Sequence, residues 1–339
     1  MFDNYLGSYC HGAWVQFLVN NSFVSVSSQA PAKYILLGEH AVVHGQPALA
    51  APLHSLASTA TITPRQTHFK QGLTVNAPDI KLSDYHHNLP TNNPLANIIN
   101  DTLFALDYSH TIEASITIRS SIPMKSGLGS SASISTAIAK ALAAYLGYSL
   151  TNDELANLVY KTEALQHGNP SGIDNIVIAH ATPILYTKSS SVKYLKPTQP
   201  LHYVLAHSGK QSDTQDTVHL FDMQRKSNPQ FHSIIKNIGR LSLKGATAFE
   251  TGDPDHLGKL MTINHSLLQQ LCVSTNRLDS LVTTALEAGA AGAKLSGAGH
   301  GGHIVAQVTN NSSASVVNAL KAIGAEPFTT FITPQTYED

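Results

Sequence analysis

A strand, a glycine-rich loop and a helix follow one another within residues 112–147, and this run constrains the fold more than any other stretch. Apolar and polar residues alternate over residues 112–119, which is the period of a half-buried strand. From Ser131 onward, isoleucine and leucine recur every three or four residues until Gly147, and this spacing predicts a helix with a glycine stop. The chain must therefore turn tightly between the predicted strand and the predicted helix.

The loop at this turn has the sequence Gly127-Leu-Gly129-Ser130-Ser131. The first N–H groups of a helix have no partners within the helix, and they lie at the positive end of its dipole. Such a loop can therefore bind a phosphate group. An ordinary turn in which the serines cap the helix is the other interpretation that this loop alone allows.

Two well-known phosphate loops fit this stretch poorly. A Walker A loop is excluded because no lysine follows the second glycine. Gly127, Gly129 and Ala132 satisfy the dinucleotide pattern G-x-G-x-x-A, which expects an acidic residue about 20 positions further on, at the end of a strand. Asp153 and Glu154 lie near that position, but they belong to a capping box that begins another helix. With these two types set aside, a phosphate loop of a different kind remains as an interpretation of residues 127–131.

The composition is that of a folded chain with little net charge. Its 339 residues, 42% hydrophobic and 13% charged, are enough for two domains with substantial cores. The net charge is −1 and the basic residues are scattered, so we expect no nucleic-acid partner. No apolar run is long enough to span a membrane, and two cysteines fit a reducing compartment. We therefore expect a cytoplasmic protein with a small-molecule ligand and no membrane partner.

Residues 1–22 are predicted to be an N-terminal extension, and the sequence assigns it no role. An apolar patch lies at residues 14–19, but no positive charge precedes it and no small-residue cleavage site follows it. We therefore do not expect a signal peptide. A packed extension, an interface segment and an upstream start codon all remain open.

Several polar residues stand in unusual surroundings. Glu39 and His40 lie in a loop among apolar residues, where pairing with the backbone is the plainest interpretation. His44 follows His40 at a spacing that could suit zinc on a helix, but no third ligand is evident. Glu163 lies in the last turns of the helix that begins at Thr151, where the dipole disfavours a carboxylate, so it is either solvated or bound to a cation.

Other motifs have equally plain interpretations. Residues 166–175 contain glycine and proline and predict a rigid turn that presents Asp174. By itself, an aspartate after a glycine turn is typical of a helix cap. Considered by itself, Lys33 is expected to be a solvated lysine on the surface. A second glycine-rich loop at residues 294–302 lies between strands and predicts a β-turn.

The rest of the chain alternates between strands and helices. Residues 64–92 predict a hairpin with a loose loop, and residues 186–200 predict the connection between two domains. Residues 30–33 predict a break in the first strand. The predicted strands are 23–26, 34–37, 57–63, 203–206, 304–308 and 327–332, and the predicted helices are 94–106, 231–251, 255–271, 276–288 and 315–323.

Three motifs in this order resemble the GHMP kinase family, which includes galactokinase, homoserine kinase, mevalonate kinase and phosphomevalonate kinase. APAKYILLGEHAVVHG at residues 30–45 resembles the first family motif, and PMKSGLGSSAS at 123–133 resembles the phosphate loop. KLSGAGHGG at 294–302 resembles the third motif. The resemblance covers about residues 24–335.

Within the family, residues 38–45, 163–175 and 261–274 are most similar to the mevalonate kinase branch. His300 stands where many members have glycine, and Cys272 stands where a Leu-Gly-Val-Ser pattern is usual. His300 lies near the expected phosphate end of the site, so the resemblance leaves nucleotide affinity open at that point. Neither change falls on a catalytic position of the family.

The resemblance implies an α+β fold of two domains with the active site in the cleft between them. Residues 23–195 would form an ATP-binding N-terminal domain similar to ribosomal S5 domain 2. Residues 196–339 would form a ferredoxin-like C-terminal domain.

The resemblance also implies the reaction. A family member of this branch transfers phosphate from ATP, with Mg²⁺, to the C5 hydroxyl of mevalonate, forming 5-phosphomevalonate for isoprenoid synthesis. Asp174 matches the aspartate that accepts the hydroxyl proton, and Lys33 matches the lysine that lowers the pKa of that hydroxyl and stabilises the carboxylate. Ser131, with Ser130 beside it, and Glu163 match the oxygen ligands of Mg²⁺.

Further site residues follow from the same motifs. The ATP-binding residues would be Lys125, Ser126, Gly127, Leu128, Gly129, Ser130, Ser131, Ala132 and Ser133, acting mainly through backbone N–H groups. The substrate-side residues would be Glu39, His40, Ser212, Thr214, Gly297 and Ala298.

Two alternatives remain open at this level. The first is another small-molecule kinase of the family, such as a phosphomevalonate or homoserine kinase. The second is a non-catalytic sensor of ATP or of a metabolite, which we would expect to lack the acid or the lysine. The sequence also leaves open the oligomeric state, with a homodimer as one option, as well as feedback by prenyl diphosphates and the nucleotide preference.

Overall fold

The structure is a computed structural model, and it describes residues 24–65, 71–168, 170–188, 190, 192–210, 221, 223 and 225–334. Two sheets with helices packed against them make up this part of the chain. The α+β class expected from the sequence is therefore confirmed. Within the described residues, no helix is both long enough and apolar enough to cross a membrane.

The first sheet is organised around one long strand that pairs on both of its edges. Its strands are β1 (Val26–Leu37), β2 (Ala48–Pro64), β3 (Thr74–Ala77), β4 (Leu82–Tyr85), β5 (Ala114–Ser120), β6 (Ile184–Tyr186) and β7 (Val192–Tyr194). β2 pairs with β1 on one edge and with β5 and β6 on the other. The order of the seven-stranded sheet is β4-β3-β5-β2-β6-β7, with β1 on β2.

Four helices belong to the first half: α1 (Pro94–Ala105), α2 (Ser130–Tyr145), α3 (Asn152–His167) and α4 (Ile173–His180). Of these, α2 and α4 pack against the sheet, while α1 and α3 pack against other helices. α2 is buried on nearly all sides, because its small and apolar residues pack against α1, α3 and α4 as well as against β1 and β2. α3 begins at the predicted capping box, in which the side chains of Thr151 and Glu154 each bind the other's backbone N–H.

The second sheet has four antiparallel strands: β8 (Leu201–His207), β9 (Gly292–Ser296), β10 (His303–Val308) and β11 (Glu326–Ile332). Its helices are α5 (Phe231–Glu250), α6 (Pro254–Gln270), α7 (Asn276–Glu287) and α8 (Asn310–Ala322). The sheet order β11-β8-β10-β9 is that of the β-α-β-β-α-β ferredoxin-like motif, so this expectation is confirmed.

A shared core joins the two halves of the molecule. Because side chains alternate along β1, Ile35 packs among the helices of the first half, while Tyr34 and Leu36 face the second half. The ring of Tyr34 meets that of Tyr203 edge to face, with centroids 5.5 Å apart. The predicted domain boundary at residues 195 and 196 lies in the connection between β7 and β8, and it stays a prediction.

Some local predictions differ from the structure: the strand predicted at 57–63 is only the second half of β2, and the helix predicted at 315–323 begins at Asn310. The predicted break at residues 30–33 is wrong, because β1 continues through Pro31 with a register shift between Pro31 and Ala32. Proline is tolerated in a strand at such an irregularity. The short helix α4 was not predicted, because its eight residues follow directly after a turn.

Candidate active site

Residues from both halves line one cleft with a volume of about 620 Å³. The first half contributes β1, the turn after it, the phosphate loop and the beginning of α4, and the second half contributes Gly297 and Ala298. The cleft therefore lies where the resemblance placed the active site, between the two sheets. The substrate-side residues predicted at positions 212 and 214 lie outside the described residues.

A buried lysine and a partly exposed aspartate form an ion pair in this cleft. Lys33 Nζ lies 2.9 Å from Asp174 Oδ1, and the Asp174 side chain is 31% exposed. Lys33 lies within β1 and is only 4% exposed, so the surrounding protein restrains its side chain. The plain interpretation of Lys33 as a solvated lysine is therefore wrong. The pair offers an incoming hydroxyl group an ionised carboxylate next to a fixed positive charge.

The turn before Asp174 requires a glycine. Gly172 has a φ of 86°, which favours glycine, and a Cβ there would lie 2.6 Å from the hydroxyl of Tyr186. That hydroxyl donates a hydrogen bond to the carbonyl of Ser171 at 3.0 Å. Tyr186 thus supports the turn that directs Asp174 into the cleft.

The phosphate loop presents backbone groups to the cleft. Gly129, with a φ of 75°, precedes the first residue of α2, and no described side chain caps that helix end. The side chain of Leu128 is buried, and Ser133 Oγ donates to the carbonyl of Ala30 at 2.8 Å. These two side chains therefore support the loop from the core, so an anion would meet the N–H groups at the start of α2.

Ser131 and Glu163 bring two oxygen atoms together at the edge of the cleft. Ser131 Oγ donates to Glu163 Oε1 at 2.5 Å, and Glu163 is only 9% exposed. Among the described residues, no cluster of three or more His, Cys, Asp or Glu side chains could hold a metal ion. Mg²⁺ does not need such a cluster, because it commonly binds one or two carboxylates together with phosphate oxygens and water. The donors present therefore fit Mg²⁺.

The second half of the molecule contacts the phosphate loop directly. His303 on β10 is 1% exposed, and its Nδ1 lies 3.1 Å from the carbonyl oxygen of Ser126. Burial lowers the pKa of His303 to about 4, so near pH 7 the neutral ring donates this hydrogen bond through Nδ1. Lys125, just before Ser126, is exposed. The phosphate loop is therefore held by the first half through Ser133 and by the second half through His303.

A buried ion pair links the turn after β1 to the second sheet. Glu39 Oε1 accepts a hydrogen bond from Lys294 Nζ, and both side chains are at most 1% exposed. Burial raises the pKa of Glu39 and lowers that of Lys294, while their mutual contact opposes both shifts. Sequence reasoning missed Lys294, although a lysine between the apolar neighbours Ala293 and Leu295 of a strand was a usable signal.

We expect the Glu39–Lys294 pair to behave as a coupled unit in unfolding experiments. Lys294→Met should lower the free energy of unfolding by about 3–5 kcal/mol, because it leaves the buried Glu39 carboxylate without its cation. The double variant Glu39→Gln/Lys294→Met should recover most of that loss. Urea titrations would measure both values, and additive losses would contradict the assignment of a buried pair.

His40 lies on the wall of the cleft in a fixed orientation. Its Nε2 is 2.8 Å from the carbonyl oxygen of Ala298, and its ring stacks on Phe221 with centroids 4.6 Å apart. Burial lowers the pKa of His40 to about 4. Phe221 and Arg225 also line the cleft, and sequence reasoning missed them because no motif marks them.

The two departures from the family pattern share a backbone feature. His300 and Cys272 have φ values of 55° and 56°, in the left-handed region that favours glycine. The N–H of His300 donates to the carbonyl of Val273 at 3.0 Å, next to Cys272 in the chain. Neither residue belongs to the described lining of the cleft.

Gly129 supports a direct prediction, with Gly147 as its matched control. Both have positive φ, so alanine at either position should cost about 1–2 kcal/mol of backbone strain. Only at Gly129 would the new Cβ meet other atoms, Ile178 Cδ1 at 2.8 Å and Lys33 Cγ at 2.9 Å. We expect Gly129→Ala to cost a further 1–3 kcal/mol or so and to lower activity by displacing Lys33. Urea unfolding would test this, and equal losses in both variants would contradict it.

Comparison with known proteins identifies the family of this chain. The profile of the GHMP kinases N terminal domain matches residues 97–181, and that of the GHMP kinases C terminal matches residues 246–326. The chain is 33% identical to the mevalonate kinase of Pyrococcus furiosus over 326 residues, which cover 91% of this chain and 96% of the relative.

Solved structures give the same result. The mevalonate kinase of Methanococcus jannaschii matches with a TM-score of 0.79 at 26% identity, covering 93% of this chain and 99% of that one. The L. major mevalonate kinase in complex with R-mevalonate matches with a TM-score of 0.76 at 28% identity, covering 91% and 96%. In sequence and in fold, the chain belongs to the mevalonate kinase branch of the GHMP kinase family.

Proposed function

We propose that this protein is an ATP-dependent mevalonate kinase, which transfers the γ-phosphoryl group of ATP to the C5 hydroxyl of mevalonate and releases 5-phosphomevalonate and ADP. The main observation in favour is the 2.9 Å ion pair between Lys33 and Asp174 in a cleft that also contains the phosphate loop. A positioned carboxylate, a fixed cation and an anion-binding loop are what phosphoryl transfer to an alcohol requires.

Each residue has a distinct task in this proposal. Asp174 accepts the proton of the C5 hydroxyl as that oxygen attacks the γ-phosphorus, and Lys33 stabilises the negative charge that develops on the oxygen. An aspartate is a weak base, so alignment and charge stabilisation supply most of the rate enhancement. Backbone N–H groups of residues 127–133 bind the ATP phosphates.

Ser131 Oγ and Glu163 would hold Mg²⁺ through their adjacent oxygen atoms. When bound, the ion would neutralise charge on the β- and γ-phosphates. This role also explains why Glu163 lies near the C-terminal end of α3, where the helix dipole alone disfavours a carboxylate.

On the substrate side, Glu39, His40, Gly297 and Ala298 line the cleft beside the ion pair. Glu39 Oε2 is buried without a hydrogen-bond partner among the described residues, so it can accept a hydrogen bond from a substrate hydroxyl. This arrangement suits a small molecule with several hydroxyl groups.

A substrate panel tests the proposed function. The purified protein would be incubated with Mg-ATP and each of mevalonate, phosphomevalonate, homoserine and galactose, and ADP release would be followed. We expect turnover with mevalonate alone. Turnover with another alcohol instead would keep the chemistry of Lys33 and Asp174 but change the substrate, whereas no turnover with all four would favour a metabolite sensor.

A further inference from the structure

The turn that carries Asp174 separates two cavities. The cleft lies on one side of the turn. On the other side, a pocket with a volume of about 410 Å³ lies between α3, α4, β6 and β7. Gly172 and Asn175 line both cavities. Because the turn has a cavity on either side, its position depends on specific contacts rather than on close packing in a core.

Two side chains bind the backbone of this turn. The hydroxyl of Tyr186 donates to the carbonyl of Ser171 at 3.0 Å, and Lys188 Nζ donates to the carbonyl of Pro170, also at 3.0 Å. Two consecutive carbonyl groups just before Asp174 are therefore bound by donors that lie two positions apart in the chain. Together these hydrogen bonds fix the orientation of the backbone that leads to Asp174.

Tyr186 is a rigid support for the turn. Its side chain is 7% exposed, and its backbone pairs with Ala48 of β2 and with Val192 of β7. Burial raises the pKa of Tyr186, so its hydroxyl group keeps its proton and remains a donor near pH 7. The sheet thereby holds the hydroxyl group at a fixed place behind the turn.

We propose that Tyr186 and Lys188 are positioning residues for Asp174, so that kcat depends on their hydrogen bonds to the turn. Neither side chain belongs to the described lining of the cleft, so both act through the turn. A carboxylate must lie within hydrogen-bond reach of the proton that it accepts, and a displacement of about 1 Å can cost about a hundredfold in rate. The inference rests on the proposed role of Asp174, but not on mevalonate as the substrate.

Tyr186→Phe removes one of these hydrogen bonds and keeps the ring. We expect it to lower kcat about tenfold, with the KM for ATP nearly unchanged, because a misplaced Asp174 affects the transfer step and not the phosphate loop. Steady-state ADP release measures both parameters, and titration with Mg-ATP measures nucleotide binding directly. Any alcohol of the panel that the unaltered enzyme phosphorylates serves as the substrate.

Tyr194→Phe is the matched control. Tyr194 lines the same pocket, but its hydroxyl group lies 3.2 Å from His180 Nε2, at the far end of α4 from Asp174. The control loses a hydroxyl group that does not bind the turn, so it should leave kcat unchanged.

Two variants of Lys188 test the second hydrogen bond. Lys188→Met should lower kcat and leave the KM for ATP nearly unchanged, as Tyr186→Phe does. Lys188→Arg keeps a cationic donor and should retain most of the activity. If Tyr186→Phe does not fold, this pair decides the matter, and equal kcat values for Lys188→Met and Lys188→Arg would overturn the inference.

A double variant distinguishes positioning from general support of the fold. Since Tyr186 acts through Asp174, Tyr186→Phe should cause no further loss of kcat in an Asp174→Asn enzyme. Losses that multiply in the double variant would overturn the inference, because they would show an effect independent of the carboxylate. An unchanged kcat in Tyr186→Phe would overturn it as well.

The outcomes also separate the inference from the proposed function. Turnover of another alcohol in place of mevalonate would defeat the proposed substrate alone, and the same variants would then be compared with that alcohol. Absence of turnover with all four alcohols would defeat the proposed function and the inference together.

Discussion

Asp174→Asn is expected to lower kcat with mevalonate by about 10²- to 10⁴-fold, while the protein still binds ATP. Asparagine has nearly the same shape as aspartate, but it cannot accept the hydroxyl proton, and it leaves the buried Lys33 without its counter-charge. Steady-state ADP release would measure kcat, and equilibrium titration with Mg-ATP would measure nucleotide binding.

A matched control isolates this effect. Asp255→Asn makes the same chemical change at an exposed position in the first turn of α6, away from the cleft, and should leave kcat unchanged. If the Asp174→Asn enzyme retained most of its activity, Asp174 could not be the proton acceptor. Loss of ATP binding in the same variant would indicate a structural role instead.

Glu163→Gln is expected to give the second largest loss, at least about a hundredfold in kcat at low Mg²⁺ concentration. Glutamine keeps the shape of glutamate but removes the negative charge beside Ser131 Oγ, 2.5 Å away. A hard cation then loses its charged ligand, so the variant should need a higher Mg²⁺ concentration for half-maximal activity.

This prediction is checked by titrating Mg²⁺ at fixed ATP in both enzymes. Glu287→Gln, at an exposed position in the last turn of α7, serves as the control and should show the same Mg²⁺ dependence as the unaltered enzyme. A Glu163→Gln enzyme with lower kcat but an unchanged Mg²⁺ requirement would contradict the metal-binding role and point to a purely structural one.

Much of the fold could be predicted because local sequence decides it. The apolar spacing of α2 and the Thr151–Glu154 capping box are local patterns, and the structure has both helices where they were expected. The strands and helices of the second half likewise follow from their periodicity. The break predicted in β1 was wrong because tertiary pairing with β2 overrides the local effect of Pro31.

Less of the site could be predicted from the sequence, because its contacts join residues that are far apart in the chain. Lys33 and Asp174 were paired in advance only through the family resemblance, since neither stands in an unusual pattern by itself. Glu39 and Lys294 are 255 positions apart, and no local pattern indicates that the second sheet brings them together. Phe221 and Arg225 were missed because no motif marks them, and only the tertiary structure shows that they line the cleft.

The most direct test of the central claim is the chemical identity of the product. The purified protein would be incubated with Mg-ATP and mevalonate, and the product would be examined by proton-coupled phosphorus NMR. We predict one ADP per new phosphomonoester, whose signal is a triplet because the phosphate is attached to the C5 methylene group. A singlet would place the phosphate on the tertiary C3 oxygen, and the absence of any phosphomonoester signal would contradict the proposed activity altogether.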